Sequence, residues 1–321
     1  MFKIYLSRPA YQKIISSVEN KAATEHSHLY RLLKQQPVQI LTPSDVEKYK
    51  THPENVLKNP SSLYILDITP SEASNIQESY GIMCLSTGHL DVSPLIDVND
   101  IHTADEGKKL GRGWDSVLDS VEKLPSNALL LTDRYLFSQR NKNIGDGLSN
   151  VKSILTELLP QRFEGGDYHV TIVFCNDKKH GTYSFNEIAS KLNNIAQQME
   201  CHYPIMMEVF GISKGSKIYD KLHSRRIVSN YFLVEVTHKL AAFNRNLGTT
   251  QQTLIPLALF TKSSLNGVST SPLDSINQTI NNFHDFYNHI LSQKDEDIDY
   301  LYAFNGRVRE RCMGIRNRLF K

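Results

Sequence analysis

Apolar residues recur along this chain in two rhythms, and the switches between them mark its elements. Residues 2–6 form a short apolar run that predicts a strand, and residues 11–34 carry helical spacing over one helix or two. Residues 38–41 predict a second strand, after which Thr42 and Pro43 open a short helix through Tyr49. Residues 63–68 are rich enough in apolar and β-branched side chains for a buried strand. Thr69-Pro70-Ser71-Glu72 then supplies an N-cap, a proline at the first helical position and an early acid. That helix is expected to stop at Tyr80-Gly81, where glycine accepts the left-handed cap, and residues 82–85 predict the next strand. The alternation predicts a small α/β layer with parallel pairing over residues 1–86.

Between residues 87 and 113 the rhythm is lost among Gly88, Pro94, Gly107, Gly111, Gly113 and several acids, so this stretch reads as a connecting loop and a boundary. Its Lys108, Lys109 and Arg112 lack the spacing of a phosphate-binding P-loop. Residues 114–321 resume with a helix over 114–124 and a strand over 128–132 that ends in Asp133-Arg134-Tyr135. Val151, Ile154, Leu155 and Leu158 make one helical stripe, and Ile188, Leu192, Ile195 and Met199 make another. Strands are expected at 169–174, 205–210, 230–236 and 254–260. Ser271-Pro272 starts a long helix with Leu273, Ile276, Ile280, Phe283, Tyr287 and Ile290 on one face. These stripes are core faces. In the tail, Val308, Cys312, Ile315 and Leu319 recur at helical spacing, which predicts an amphipathic helix over residues 305–321. Its outer face would carry Arg307, Arg309, Arg311, Arg316 and Arg318, either docked and solvated or gripping backbone phosphates.

Composition narrows the function classes. A chain of 321 residues with 40% hydrophobic and 22% charged residues can bury a sizeable core. A net charge of +2 makes no polycation, so any preference for anions must come from local placement. Cys84, Cys175, Cys201 and Cys312 are scattered with no Cys-x-x-Cys pair, which fits reduced thiols in the cytoplasm. The first residues carry too short an apolar run for a signal peptide, and the longest apolar runs fall far short of a membrane span. No histidine or cysteine spacing suits a metal, and no cofactor motif is present, so neither is expected. Asp67 and Asp133 end strands, where α/β sites form, but Ser7 stands where a metal nuclease of the PIN type expects an acid. A Ser/His/Asp hydrolase has no Gly-x-Ser-x-Gly elbow here to support it.

The densest candidate chemistry is His223, Arg225 and Asn230 within eight residues. On a flat strand their spacing would split them between faces, so a turn or bulge near residues 224–226 is required to bring them together. This stretch resembles the degenerate phospholipase D-like domains written His-Asp-Arg-x4-Asp/Asn. Such domains occur at the C-terminus of a eukaryotic microtubule-interacting-and-transport protein and in many bacterial proteins. LLLTDRYLF, residues 129–137, is similar to the strand that opens such domains, and the resemblance covers about residues 127–243. It implies that His223 would attack phosphorus, Arg225 would grip the phosphate and Asn230 would support the site. Arginine serves a phosphate as well as lysine, whereas Asn230 offers no charge to stabilise an imidazolium. The Gly-Ser that normally follows is missing, and the motif occurs once where a working site needs two, so activity would require a homodimer.

The expected architecture is therefore α/β: an N-terminal α/β section, then a phospholipase D-like domain with C-terminal helices. The expected function is non-catalytic binding of nucleic acid or another phosphodiester through His223, Arg225, Asp133, Arg134 and the tail arginines. A setting in bacterial antiviral defence is implied by the resemblance alone. One alternative is a metal-independent phosphodiesterase or nuclease working as a homodimer through His223. The other is a protein-interaction module in which His223 and Arg225 only hold their strand.

Overall fold

A computed structural model of the chain describes residues 2–19, 27–96, 102–103, 124–137, 144–176, 184–216, 225–236, 240, 253–292, 298–304, 307–309 and 314–321. Its first part runs β1 (Lys3–Ser7), α1 (Arg8–Glu19), α2 (Ser27–Gln35), β2 (Val38–Leu41), α3 (Pro43–Thr51), β3 (Ser62–Leu66), α4 (Pro70–Tyr80) and β4 (Cys84–Ser86). The strands pair in parallel in the order β2-β1-β3-β4. Local chemistry sets the helix ends. Thr42 and Asp45 close a capping box on α3, and Thr69 and Glu72 close another on α4, each ahead of a proline. Gly81 ends α4 at φ 61°, in the left-handed region. Side chains alternate across the sheet, as strands require. Ile4, Leu6, Leu63 and Ile65 join α1 and α2 in the main core, whereas Tyr5, Tyr64 and Leu66 face Val46 of α3 and Ala73, Ile76 and Tyr80 of α4.

The larger sheet collects β5 (His102–Thr103), β6 (Ala128–Thr132), α5 (Ile144–Leu158), β7 (Tyr168–Cys175), α6 (Phe185–Gln198), β8 (Ile205–Ile212), β9 (Arg226–Ser229) and β10 (Phe232–Val236). β11 (Thr253–Ala258), α7 (Lys262–Leu265), α8 (Pro272–Ser292), β12 (Ile298–Phe304) and β13 (Arg307–Arg309) complete it. The strand order is β13-β12-β8-β7-β6-β9-β10-β11-β5. Only β6, β7 and β8 run parallel to one another, joined by α5 and α6, and the remaining pairings are antiparallel. All five residues of β6 are buried, as a central parallel strand with both faces covered must be. The α/β class expected from the pattern is what the chain adopts. No helix among the described residues is long and apolar enough to cross a membrane.

Three local expectations are corrected. The strand expected at 230–236 begins at Phe232 and is the second arm of a tight hairpin with β9, which turns at Asn230 and Tyr231. The expected helix over residues 305–321 is absent wherever the tail is described: Arg307–Arg309 is an edge strand and Arg318–Phe320 a single 3-10 turn. In residues 87–96, Leu90, Val92, Leu95 and Ile96 are buried, so the irregular stretch is held by the core there. The helix expected over 114–124 lies outside the described residues except for Leu124.

The two sheets meet at the hairpin tip. Asn127, just before β6, and Asn230, at the turn, are 0% and 2% exposed. The Asn127 amide donates to the Pro60 and Gly81 carbonyls at 3.0 and 3.1 Å, and the Asn230 amide donates to the same two at 3.0 and 2.9 Å. Asn230 Oδ1 accepts the Asn127 backbone N–H at 3.2 Å. Beside them, the Tyr231 hydroxyl donates to the Ser62 carbonyl at 2.5 Å and accepts the Met83 N–H at 2.9 Å. Gly81 must be glycine twice over. Its φ is positive, and a Cβ would stand 2.1 Å from the Ser126 carbonyl oxygen. Tyr231→Phe is expected to lower the free energy of unfolding by about 1–3 kcal/mol, because the buried Met83 N–H and Ser62 carbonyl lose their partner. Urea denaturation measures this, and an unchanged midpoint would mean the tip does not hold the sheets.

Candidate functional site

The larger sheet has two ends with opposite character. At the carboxyl end of β6, Asp133 is fully buried. Its Oδ1 accepts the Tyr135 N–H at 2.8 Å in a local Asx turn, and its Oδ2 accepts the Leu240 N–H at 2.9 Å. Arg225 precedes β9, which runs antiparallel to β6 with Arg226 opposite Thr132. That register sets Arg225 against Asp133, with Nε 3.8 Å from Oδ1. The guanidinium carbon lies 5.3 Å from the centre of the Tyr135 ring, a cation–π arrangement. Tyr135 is 36% exposed, so the cluster opens to solvent.

The same end carries two further polar pairs that sequence reasoning missed. Arg226 forks onto Glu235 Oε1 from Nε and Nη2, at 3.0 and 2.8 Å, while Nη1 donates to the Thr279 hydroxyl. Asn176, just after β7, donates to Asp299 Oδ2 at 2.7 Å across to β12. Asp299 lies in β12, a strand the sequence pattern did not predict. The direct register of Glu235 opposite Arg226 was available only once the hairpin was known.

Several expected contacts are elsewhere. From Arg225 to Asn230 the chain crosses the whole sheet along β9, about 16 Å at the rise of an extended strand. Asn230 therefore sits at the amino end, in the joint with the first section, and does not complete a site with Arg225. Arg134 follows Asp133 but is only 9% exposed, which does not suit a surface phosphate contact. His223 and Arg311 lie outside the described residues. Arg307 and Arg309 are placed on the edge strand β13, opposite Phe304 and Tyr302.

Arg318 corrects the phosphate expectation most directly. Its Nη1 donates to the Asn127 carbonyl at 3.2 Å and its Nη2 to the Gly165 carbonyl at 2.6 Å, and its guanidinium lies over Phe163. It clamps the tail to the amino end of the sheet. Around it, Asn317 donates to the Leu129 carbonyl and the Thr171 hydroxyl, each at 3.0 Å, and Phe320 stacks on Phe283 of α8. Arg316 is half-buried near Glu208, whose carboxylate is fully buried and accepts from Tyr287, Tyr300 and Thr171. Burial holds the Glu208 carboxyl above its ordinary range despite those bonds and the Arg316 charge. Among the described residues, no group of three or more His, Cys, Asp or Glu side chains is arranged to hold a metal.

No protein-family model matches the chain, and no curated protein does. Among solved structures, Drosophila Piwi is similar at 10% identity and a TM-score of 0.21, over 85% of this chain and 43% of that one. This chain thus spans less than half the length of that structure, and a likeness at that score carries no argument.

The docked tail has a pH dependence with a definite sign. The Arg318 N–H donates to His169 Nδ1 at 3.0 Å, which requires that nitrogen to be unprotonated. Burial, reinforced by Arg318 and Lys321, pushes the imidazole down to about 3 from 6.5. Its contribution is fully present above the unfolded value of 6.5 and is lost as pH falls through the folded value of about 3. His169→Asn, whose Oδ1 can accept the same N–H without titrating, is expected to lose less stability than the wild type over that window. Equal acid sensitivity in chemical denaturation would contradict this account of the tail.

Proposed function

We propose that the chain binds a phosphodiester backbone, nucleic acid above all, at the carboxyl end of the larger sheet, without needing to cleave it. The observation that carries this reading is Arg225 set beside buried Asp133 and against the half-exposed ring of Tyr135. Both Asp133 oxygens accept backbone N–H groups, so the carboxylate is a fixed post and not a mobile competitor. An arginine positioned in this way is preorganised for a phosphate, which it meets with a planar fork. Tyr135 adds an aromatic surface of the kind on which unpaired bases stack, worth about 1–3 kcal/mol per base. A net charge of only +2 makes such a local site more important, because the molecule as a whole attracts polyanions weakly.

The resemblance of residues 127–243 to phospholipase D-like domains supports the same reading, as does the strand–helix order from β6 to β8. A cytoplasmic, homodimeric protein acting against foreign nucleic acid is the setting that resemblance implies. Placement of Arg225 at the carboxyl end, where α/β proteins gather their chemistry, favours a second reading: cleavage through His223 in a homodimer. Arg307 and Arg309, opposite Phe304 and Tyr302 towards the amino end of the sheet, stand outside this site.

Salt titrations of binding to single- and double-stranded oligonucleotides by the full chain test the proposal. Arg225→Gln is expected to weaken binding to all sequences alike and to make the salt slope shallower by about one unit. Tyr135→Ala is expected to weaken single strands more than duplexes. Unchanged affinity and slope in a folded Arg225→Gln protein would overturn the site. Cleavage of a phosphodiester in EDTA that His223→Ala abolishes would replace binding with the second reading.

A further inference from the structure

The smaller sheet has its own crevice, far in sequence from the cluster around Asp133 and Arg225. In the order β2-β1-β3-β4 the chain leaves β1 towards one edge and leaves β3 towards the other. Helices α1 and α4 pack in different cores as a result, on opposite faces of the sheet. Open parallel sheets form a ligand crevice outside the strand ends where the winding reverses in this way. Here that place holds a cavity of ≈ 230 Å³.

Its lining is balanced in charge. Arg8, at the end of β1, and Lys50, on α3, contribute two cations, while Asp67, at the end of β3, and Glu47, on α3, contribute two carboxylates. Among the described residues the four do not pair with one another. Arg8 occupies the first position of α1, whose first turn has no acid to answer the positive end of the helix. Ser7 is 1% exposed, and its hydroxyl accepts the Ala10 N–H at 3.4 Å and among the described residues donates its own proton to nothing. Leu41 and Val46, both buried, supply an apolar wall.

A simple anion in this crevice would meet Asp67 and Glu47, and a simple cation would meet Arg8 and Lys50. A molecule carrying both charges answers both pairs at once. The volume is below the roughly 300–1,000 Å³ of pockets for drug-sized ligands, so the occupant is compact. We propose that this crevice binds a free amino acid or an equally small zwitterion, with its carboxylate towards Arg8 and the start of α1, its ammonium towards Asp67 and its side chain on the apolar wall.

Isothermal titration of the full chain with the proteinogenic amino acids tests this, with acetate, methylammonium and inorganic phosphate as singly signed controls. At least one amino acid is expected to bind where the three controls do not. Arg8→Gln and Asp67→Asn are each expected to weaken that binding about tenfold or more, the loss of a charge-assisted hydrogen bond. Both residues are exposed, so neither change opens the core. Failure of the whole panel to bind would overturn the proposal. So would equal binding by acetate or phosphate alone, or affinity unaltered by both substitutions. None of these outcomes bears on the phosphodiester site, which belongs to the other sheet.

Discussion

Two side-chain amides sharing two carbonyl oxygens hold this molecule in one arrangement. Asn127 and Asn230 each donate to Pro60 and Gly81, in a joint with almost no access to water. Pro60 and Gly81 belong to the turns leading into β3 and β4, so these bonds fix the smaller sheet against the amino end of the larger one. Tyr231 completes the joint, and burial pushes its phenol well above its ordinary range, so the hydroxyl keeps its proton for Ser62. Any donor left unpaired in such a place costs about 1–3 kcal/mol, a large part of the margin that keeps a domain folded. The backbone must also come very close to Ser126 at Gly81, which only glycine permits.

Closing the amino end leaves the carboxyl end of the larger sheet for the proposed site. The tail fills the rest of that end, with Arg318 on the Asn127 and Gly165 carbonyls and Asn317 on Leu129 and Thr171. Two groups that could have served a ligand, Asn230 and Arg318, are thereby spent on holding the fold. Asp133, Arg225 and Tyr135 sit at the other end, where the parallel strands stop and no such seal is made from Asn127, Asn230 or Arg318. A motif that looks continuous in sequence is thus divided by the antiparallel course of β9. Its arginine lies at the carboxyl end and its asparagine in the joint. That division favours binding over a complete catalytic set supplied by this stretch alone.

What could be read from the sequence was local. Thr69 and Glu72 act on groups three residues apart, and Gly81 answers a backbone conformation, so the limits of α4 were visible before any tertiary structure. The stripes of α5, α6 and α8 were equally plain, because helical spacing reports burial directly. The tail deceived for the same reason. Val308, Cys312, Ile315 and Leu319 keep helical spacing, yet Val308 lies in a strand and Leu319 in a 3-10 turn, since β12 and α8 offer distant partners that outweigh local preference. Arg318 looked like surface charge because its acceptors are the carbonyls of residues 127 and 165. Arg225 and Asp133 were each suspected, but their meeting depends on the register of β6 with β9, which no local pattern encodes.

The central claim is that nucleic acid lies across the carboxyl end of the larger sheet. Ultraviolet cross-linking of the full chain to a photoreactive oligonucleotide, with the attached residues identified by mass spectrometry, tests it most directly. The account predicts adducts at Tyr135 and in its immediate neighbourhood around Asp133, Asn176 and Arg225. Adducts concentrated at the amino end, around Asn127, His169 and Arg318, or no adducts at all, would contradict it.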